Sequence, residues 1–277
     1  MNDRLTMISV DGHIGAPVAA YRDYIEHKYL AAFDDWSKRH ADTLPTRIAR
    51  KMEKHLIHPP MRPYPTTEQI CDPATRAAIL DAEGVAAEVL FPGPDFTDEH
   101  TVPFKVVIGA NPDRQDLELE TAGEAAFNRW LADYCRDAAP RALGLYYPDR
   151  TDMDACVRGL RRAKDEGFVG VHLTAADARL PYFWDEHWEP RWTACEELEL
   201  PVVFHGGTGY PEDFRMWQGA PGATALMWSE ALFWATRPLK FLICGGVLER
   251  HPTLKVIITE TTNGRSEEHT SELQSPC

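Results

Sequence analysis

Two short segments of this 277-residue chain place metal-binding side chains at the ends of apolar runs. Asp11 and His13 follow the apolar residues 6–10, and His205 follows the run Pro201–Phe204. Side chains two residues apart on a strand point to the same side, so Asp11 and His13 can reach one ion. Carboxylate and imidazole groups are the protein ligands of catalytic zinc sites. The pattern therefore predicts a metal centre formed by Asp11, His13 and His205.

Each half of this pattern also has a purely structural interpretation. A capping carboxylate and a polar loop histidine explain Asp11 and His13 equally well when they are taken alone. A lone histidine at a strand end is more often a hydrogen-bonded core residue. The two halves together favour metal ligands, because the carboxyl ends of parallel strands meet at one face of a barrel. Gly206 and Gly207 follow His205 directly and allow the backbone to approach such a site closely.

Two further residues at strand ends are our candidate catalytic residues. His172 lies in the run Val169–Leu173. It is a substrate contact or a further ligand, or else a hydrogen-bonded residue of the wall. Glu260 ends the run Lys255–Thr259. It is a base or a neighbour of the metal, or else the cap of a following helix.

The elements that must position these residues alternate between apolar runs and amphipathic stretches. Continuous apolar runs suit strands that are buried on both faces of a parallel sheet. The predicted strands are residues 6–10, 87–91, 142–147, 169–173, 201–204 and 255–259. The predicted helices are residues 73–84, 124–136, 152–166 and 191–199. This alternation predicts a parallel α/β sheet, either closed into a barrel or doubly wound, and no glycine-rich nucleotide-binding motif supports the second arrangement.

Composition and charge narrow the function classes. The formal net charge of −14 opposes binding to phosphate backbones, so nucleic acid is not an expected partner. The apolar stretch 225–248 contains Glu230, Arg237 and Lys240, which argues against a membrane span. The six cysteines form no CxxC pair, and the first residues have no secretory pattern. These features predict a soluble cytoplasmic protein.

Two segments stand apart from the alternating pattern. Residues 18–71 make a long excursion between the first two strands, and we predict a helical lid over the mouth of the barrel. Residues 265–277 are polar and have no periodicity, and Arg265–Ser275 resembles the translation of a sequencing-adapter oligonucleotide. We therefore predict that 265–277 is a non-native tail and that residues 1–264 form one incomplete barrel domain.

Six motifs occur in order along residues 6–264: DGHIGAP, ILDAEGVAAEVLFP, AFNRWLADYC, GLRRAKDEGFVGVHL, WDEHWEPRWTACEELELPVVFHGG and GGVLERHPTLKVIITE. This order resembles the amidohydrolase-related family, which includes aminocarboxymuconate-semialdehyde decarboxylase and related aromatic-acid decarboxylases. The resemblance implies a (β/α)8 TIM barrel that holds a divalent metal, with zinc first and manganese as the alternative. The ligands carried onto this chain would be Asp11 or His13 from the first strand and His205 from the fifth.

The same resemblance implies the reaction class. We expect a metal-dependent hydrolase or a non-oxidative decarboxylase that acts on a small carboxylated or aromatic compound, in a homo-oligomeric parent protein. Metal-bound water would be the nucleophile in a hydrolase, because the ion brings the pKa of that water toward neutrality. In a decarboxylase the ion would instead hold the carboxylate or an adjacent hydroxyl of the substrate.

Three departures from the family pattern bear on these expectations. Gly15 stands where the family often has a second histidine, and Ala16 stands where a related variant has glutamate. The family's aspartate at the end of strand eight, a metal ligand and general base, has no counterpart among about six predicted strands. The chain as written is therefore predicted to be poorly stable and inactive. The alternative is a degenerate barrel that retains only a binding role.

Overall fold

A single parallel sheet organises the protein in the computed structural model, which describes residues 6–42, 66–93, 100–105, 116–175, 177–206, 221–222 and 236–260. The six strands of this sheet follow one another in chain order, and each pairs in parallel with the next. They are β1 (Ile8–Ile14), β2 (Ala87–Pro92), β3 (Ala142–Tyr146), β4 (Gly170–Leu173), β5 (Val202–His205) and β6 (Val256–Thr259). Parallel neighbours require crossover connections, which the helices supply.

The α-helices of the described residues are α1 (30–42), α2 (Thr67–Cys71), α3 (Pro73–Glu83), α4 (Leu117–Asp137), α5 (Met153–Asp165), α6 (Glu189–Glu197), α7 (Arg237–Cys244) and α8 (Val247–Arg250). Short 3-10 helices occupy Val18–Tyr24, His27–Tyr29 and Glu186–Trp188. α4 begins earlier than predicted from the sequence because the Asp116 side chain accepts a hydrogen bond from the Leu119 amide and caps it. Within the described part of the chain, no helix is long and apolar enough to cross a membrane.

The sheet curls, which brings its first and fifth strands together. Asp11 Oδ1 in β1 lies 3.0 Å from His205 Nε2 in β5, although three strands lie between β1 and β5 in the sheet. A strand order without reversal in a curled parallel sheet is the arrangement of a (β/α)8 barrel, whereas a doubly wound sheet reverses its order. The predicted α/β barrel fold is confirmed, and the described residues contribute six strands to it.

Alternate side chains of the strands face the barrel interior or the surrounding helices. Phe91, Leu145 and Val203 pack together inside the curled sheet. Phe204, the next residue of β5, belongs to the larger cluster between the sheet and the helices. The same alternation turns His205 back toward the interior, where β1 meets it.

Both edge strands expose apolar side chains. Ile8 and Val10 are exposed on β1, and Ile257 is exposed on β6. Within the described residues β1 pairs only with β2, and β6 pairs only with β5. Unpaired strand edges that carry apolar side chains favour association with other chains. The low stability expected from the sequence remains a prediction, and these two edges are its physical basis.

The first strand is longer than the sequence predicted. β1 continues to Ile14, so Asp11 and His13 lie within the strand and not after it. The pairing of β1 with β2 is irregular between Ser9 and Gly12. The sequence did not predict this end of β1 because most of its residues are polar or glycine. Only the apolar residues before them show the pattern of a buried strand.

The predicted lid segment is helical where the structure describes it. Residues 18–42 contain two 3-10 helices and α1. Phe33 and Trp36 of α1 pack against Phe104, in the connection between β2 and α4, with ring centroids 6.2 and 5.4 Å apart. Residues 43–65 lie outside the described residues, so the position of the whole lid stays a prediction.

Candidate metal centre

The three predicted ligands converge at the carboxyl ends of β1 and β5. Asp11 Oδ1 lies 3.0 Å from His205 Nε2 and 3.6 Å from His13 Nε2. One ligand atom from each residue lies within 4.8 Å of the other two. The imidazole rings of His13 and His205 stand edge to face, with their centroids 4.9 Å apart. The barrel interior therefore holds one oxygen and two nitrogen donors close enough together to share an ion.

Backbone carbonyl groups determine which nitrogen of each histidine faces Asp11. His13 Nδ1 donates a hydrogen bond to the Gly93 carbonyl at 3.1 Å. His205 Nδ1 donates to the Gly206 carbonyl at 2.6 Å. With Nδ1 protonated, a neutral imidazole carries its lone pair on Nε2, the nitrogen that faces Asp11 in both residues. Ligation of a metal through Nε2 requires this neutral form.

Electrostatics keep the Asp11 carboxyl ionised. The imidazoles of His13 and then His205 lower the pKa of Asp11 well below its ordinary value, and partial burial opposes them. Neither lysine nor arginine pairs with Asp11 among the described residues. Within the described residues the site thus presents a carboxylate beside two imidazoles, with no lysine or arginine paired to that carboxylate.

Glu260 lies beside His205 and not among the converging donor atoms. Its Oε2 is 3.3 Å from His205 Nδ1, on the side of the ring that faces away from Asp11. A carboxylate at the distal nitrogen of a ligating histidine fixes the orientation of the ring and raises its basicity. The geometry therefore places this predicted catalytic residue next to His205, a predicted ligand.

His172 lies deeper in the barrel than the converging donors. Its side chain is 1% exposed and packs between Phe91 and Tyr147, with ring centroids 5.3 and 4.8 Å away. The ring centroid of His205 is 6.4 Å distant. Neither nitrogen of His172 has a hydrogen-bond partner in the described protein. The described residues therefore do not support the alternative that His172 is a hydrogen-bonded residue of the wall. Burial and then the charge of Lys105 lower the pKa of His172 well below its ordinary value.

Two glycines are required where backbones approach closely at this face. A Cβ on Gly206 would lie 2.0 Å from the carbonyl oxygen of Glu260, and one on Gly15 would lie 2.3 Å from that of His100. These distances are far inside van der Waals contact, so no side chain fits at either position. The family pattern often has a histidine at the position of Gly15. In this chain a steric clash with the His100 carbonyl explains why that position is glycine. Gly207 lies outside the described residues.

A second group of charged side chains, which sequence analysis missed, follows the carboxyl ends of β2, β3 and β4. Arg150 lies 3.0 Å from Glu124 and 3.3 Å from Glu120. Lys105 Nζ lies 2.7 Å from Glu124 and 4.0 Å from the centre of the Tyr147 ring. Glu120 and Glu124, four residues apart on α4, were the signal in the sequence that could have revealed this group. Two like charges on one helix face can be buried only if cations lie nearby. We refer to this group as the ion-pair network; its members are Lys105, Arg150, Arg179, Glu120, Glu124 and Asp177.

Comparison with known families gives the chain its classification. The family model described as Amidohydrolase (Amidohydro_2) matches residues 54–274, which is more than half of the chain. The chain belongs to the amidohydrolase family. The resemblance predicted from the order of its motifs is thereby confirmed.

Amidohydrolase relatives of this chain include characterised decarboxylases. Gamma-resorcylate decarboxylase of Rhizobium sp. (strain MTP-10005) is 28% identical over 196 residues, which are 69% of this chain and 55% of that enzyme. A second gamma-resorcylate decarboxylase, from Rhizobium radiobacter, matches over the same shares at 28% identity. The chain thus spans about half the length of the curated relatives that it matches.

Two solved structures share the amidohydrolase fold of this chain. The 5-carboxyvanillate decarboxylase of Novosphingobium aromaticivorans, solved with manganese and 3-methoxy-4-hydroxy-5-nitrobenzoic acid, has a TM-score of 0.60 at 17% identity, over 93% of this chain and 66% of that one. The 2,6-dihydroxybenzoate decarboxylase from Rhizobium has a TM-score of 0.59 at 18% identity, over 99% of this chain and 74% of that one. At these identities the likeness establishes the fold.

The donor atoms of this chain fit the divalent metal that the family implies. Catalytic zinc sites use three protein ligands and keep a further position open. Asp11, His13 and His205 supply one oxygen and two nitrogen atoms within 4.8 Å of one another. Nitrogen and carboxylate oxygen also suit manganese, so this donor set alone does not separate zinc from manganese.

Proposed function

We propose that the protein is a metal-dependent decarboxylase of small hydroxylated aromatic acids. The observation that carries this proposal is the convergence of an ionised Asp11 with the Nε2 atoms of His13 and His205. Three ligands with an unneutralised negative charge suit a divalent cation, and the decarboxylase activities of the relatives supply the substrate class.

The proposed metal would be zinc or manganese, held by Asp11, His13 and His205. When bound, the ion supplies a positive charge that attracts the carboxylate or a neighbouring hydroxyl of the substrate. Glu260 holds His205 from the distal nitrogen at 3.3 Å, which keeps Nε2 directed into the barrel. We therefore assign Glu260 the role of a positioning residue.

The residues below the metal centre are suited to an aromatic substrate. Phe91 and Tyr147 flank His172 with ring contacts of 5.3 and 4.8 Å, and a flat ring can pack against such a wall. Burial lowers the pKa of His172 well below its ordinary value, and its nitrogens have no hydrogen-bond partner in the described protein. We propose that one of these nitrogens binds a hydroxyl or carboxylate oxygen of the substrate.

The proposed reaction needs no redox partner. The bond between the aromatic ring and the carboxylate carbon breaks, CO2 leaves, and a proton replaces the carboxylate on the ring carbon. Hydrolysis of an amide or ester is the second candidate, favoured by the family's description as amidohydrolase. The same metal site serves both reactions, because an ion can attract a carboxylate or activate a water molecule.

The test of this proposal uses the full-length product of the gene. We expect about one equivalent of zinc or manganese per chain after purification, measured by mass spectrometry of the digested protein. Incubation with 2,6-dihydroxybenzoate should release CO2 and resorcinol in equal amounts, with activity lost to a chelator and restored by the metal. Product formation without CO2, from an amide or ester, would establish the hydrolase instead. Protein that retains no metal and transforms neither class of compound would contradict both proposals and favour the degenerate barrel.

Four sequence-based expectations accompany this proposal as predictions. We propose that residues 18–71 cover the mouth of the barrel and that 265–277 is a non-native tail of the single domain 1–264. We also propose that the whole protein is a homo-oligomer located in the cytoplasm. Sedimentation velocity and localisation of a tagged full-length protein test the last two.

A further inference from the structure

A cavity of about 280 Å³ lies on the outer side of β4, away from the barrel interior. Leu173, the last residue of β4, lines this cavity and belongs to the cluster between sheet and helices, whereas His172 faces inward. The loop after β4 forms one wall through Phe183, and α7 forms another through Phe241. The cavity therefore lies on the outer face of the sheet, whereas the candidate metal centre lies on the inner face.

Arg191 lines this cavity and carries a buried charge. Arg191 is 1% exposed, and its Nη2 donates to the Asp149 carbonyl at 3.0 Å while Nε lies 3.4 Å from Cys156 Sγ. Its guanidinium carbon stands 4.1 Å from the centre of the Trp188 ring. No carboxylate lies within ion-pair distance of Arg191 in the described residues, and its Nη1 makes no hydrogen bond there.

A buried charge without a counter-ion is costly, because the low-dielectric interior replaces water around it. Arg150 lines the same cavity and shows the usual solution, since Glu120, Glu124 and Asp177 all lie within 3.3 Å of it. Among the residues that the structure describes, Arg191 contacts only a carbonyl, a thiol and an aromatic face. The difference leaves one unneutralised positive charge in the wall of a cavity.

Aromatic side chains connect the cavity with solvent. Tyr182 lines the cavity and is also exposed to solvent. Trp184 is also exposed, and its ring centroid lies 4.7 Å from those of Tyr182 and Phe241. Exposed clusters of large aromatic rings are unusual on a surface that binds nothing.

We propose that this cavity binds a small aromatic carboxylate, with Arg191 as its counter-ion. The carboxylate accepts a hydrogen bond from Arg191 Nη1, and the ring of the ligand packs among Phe183, Trp188 and Phe241. Arginine matches the planar geometry of a carboxylate, and mostly apolar walls with a few placed polar groups are typical of small-molecule sites. This inference does not depend on the proposed reaction, because it concerns the other face of β4.

Isothermal titration calorimetry with benzoate tests the proposal on the full chain after metal has been removed by a chelator. We expect one saturable site per chain. Arg191→Met keeps the length of the side chain over Trp188 but removes its charge, and should weaken benzoate binding by at least about tenfold. Arg161→Met removes a charge from an exposed position of α5 and should leave the affinity unchanged. His205→Asn should also leave it unchanged, since the metal centre is not involved.

Thermal unfolding separates a lost site from a lost fold. Without benzoate, Arg191→Met should unfold at or above the temperature of the unchanged protein, because the variant no longer buries an unneutralised charge. Benzoate should raise the unfolding temperature of the unchanged protein but not that of the variant. If Arg191→Met does not fold, Arg191→Lys takes its place, and its loss of the planar fork should still weaken binding. Absence of a saturable site, equal affinity in the Arg191 variant, or loss of binding in His205→Asn would each overturn the proposal.

Discussion

Two groups of polar residues lie at the carboxyl ends of the strands, and they differ in how their charges are neutralised. The ion-pair network combines three cations with three carboxylates, and Arg150 alone lies near Glu120, Glu124 and Asp177 at 3.0 to 3.3 Å. The candidate metal centre combines one ionised carboxylate with two imidazoles whose Nε2 atoms face it.

The difference separates a structural polar cluster from a binding site. Charges that neutralise one another inside the protein leave no unpaired charge to bind a ligand. Removing one partner leaves the other charges without a counter-ion in a low-dielectric interior. Donor atoms that converge without an internal cation retain their capacity to bind one. Burial alone would mislead here, because Glu124 in the network is more deeply buried than Asp11 in the candidate centre.

The largest expected effect is on the metal centre. His205→Asn should lose the bound metal and reduce CO2 release from 2,6-dihydroxybenzoate by at least about a thousandfold, since a metal contributes several kcal/mol to such chemistry. The free energy of unfolding of the metal-free protein should change much less, because the network is untouched. Metal analysis and a CO2 assay on the full-length gene product measure both. Normal metal content in this variant would remove His205 from the ligand set.

The network should respond in the opposite way. Arg150→Ala leaves buried carboxylates without their cation and should lower the free energy of unfolding by about 3 kcal/mol. Urea titration of the metal-free chain measures this loss. Arg136→Ala, at an exposed position of α4, is the matched control and should stay within about 0.5 kcal/mol of the unchanged protein. If both variants lost the same free energy of unfolding, the distinction between a structural ion-pair network and a metal-binding centre would be wrong.

A smaller effect sharpens the boundary of the metal centre. Glu260→Gln removes the negative charge near His205 Nδ1 and should weaken metal binding by about tenfold, the lower end of the range for such partners. Competition with a chromogenic chelator measures the dissociation constant. Glu249→Gln on α8 is the control and should leave that constant unchanged. If Glu260→Gln binds the metal with unchanged affinity, Glu260 does not position His205, and the alternative that it caps a helix is favoured.

Strand cores and the three residues that converge at the candidate metal centre were accessible from the sequence, whereas the lengths of some elements were not. Apolar periodicity located all six described strands, and the spacing of Asp11 and His13 gave their common direction. The end of β1 was misplaced because its last residues are polar or glycine. The sequence showed Gly15 as a departure from the family pattern but not its cause. The cause is the close approach of the His100 carbonyl, which no local sequence pattern encodes.

What the sequence by itself determined is the alternation of strands and helices, the residue types able to bind a metal, and the family. Those properties are local, since each depends on neighbours a few positions away. Only the tertiary structure decided that Asp11 lies 3.0 Å from a histidine 194 residues later. It also decided that Glu124 has a cationic partner, whereas Arg191 has no carboxylate partner within the described part of the chain. Distances between strand ends and the neutralisation of buried charges depend on how the sheet curls, which is a property of the whole chain.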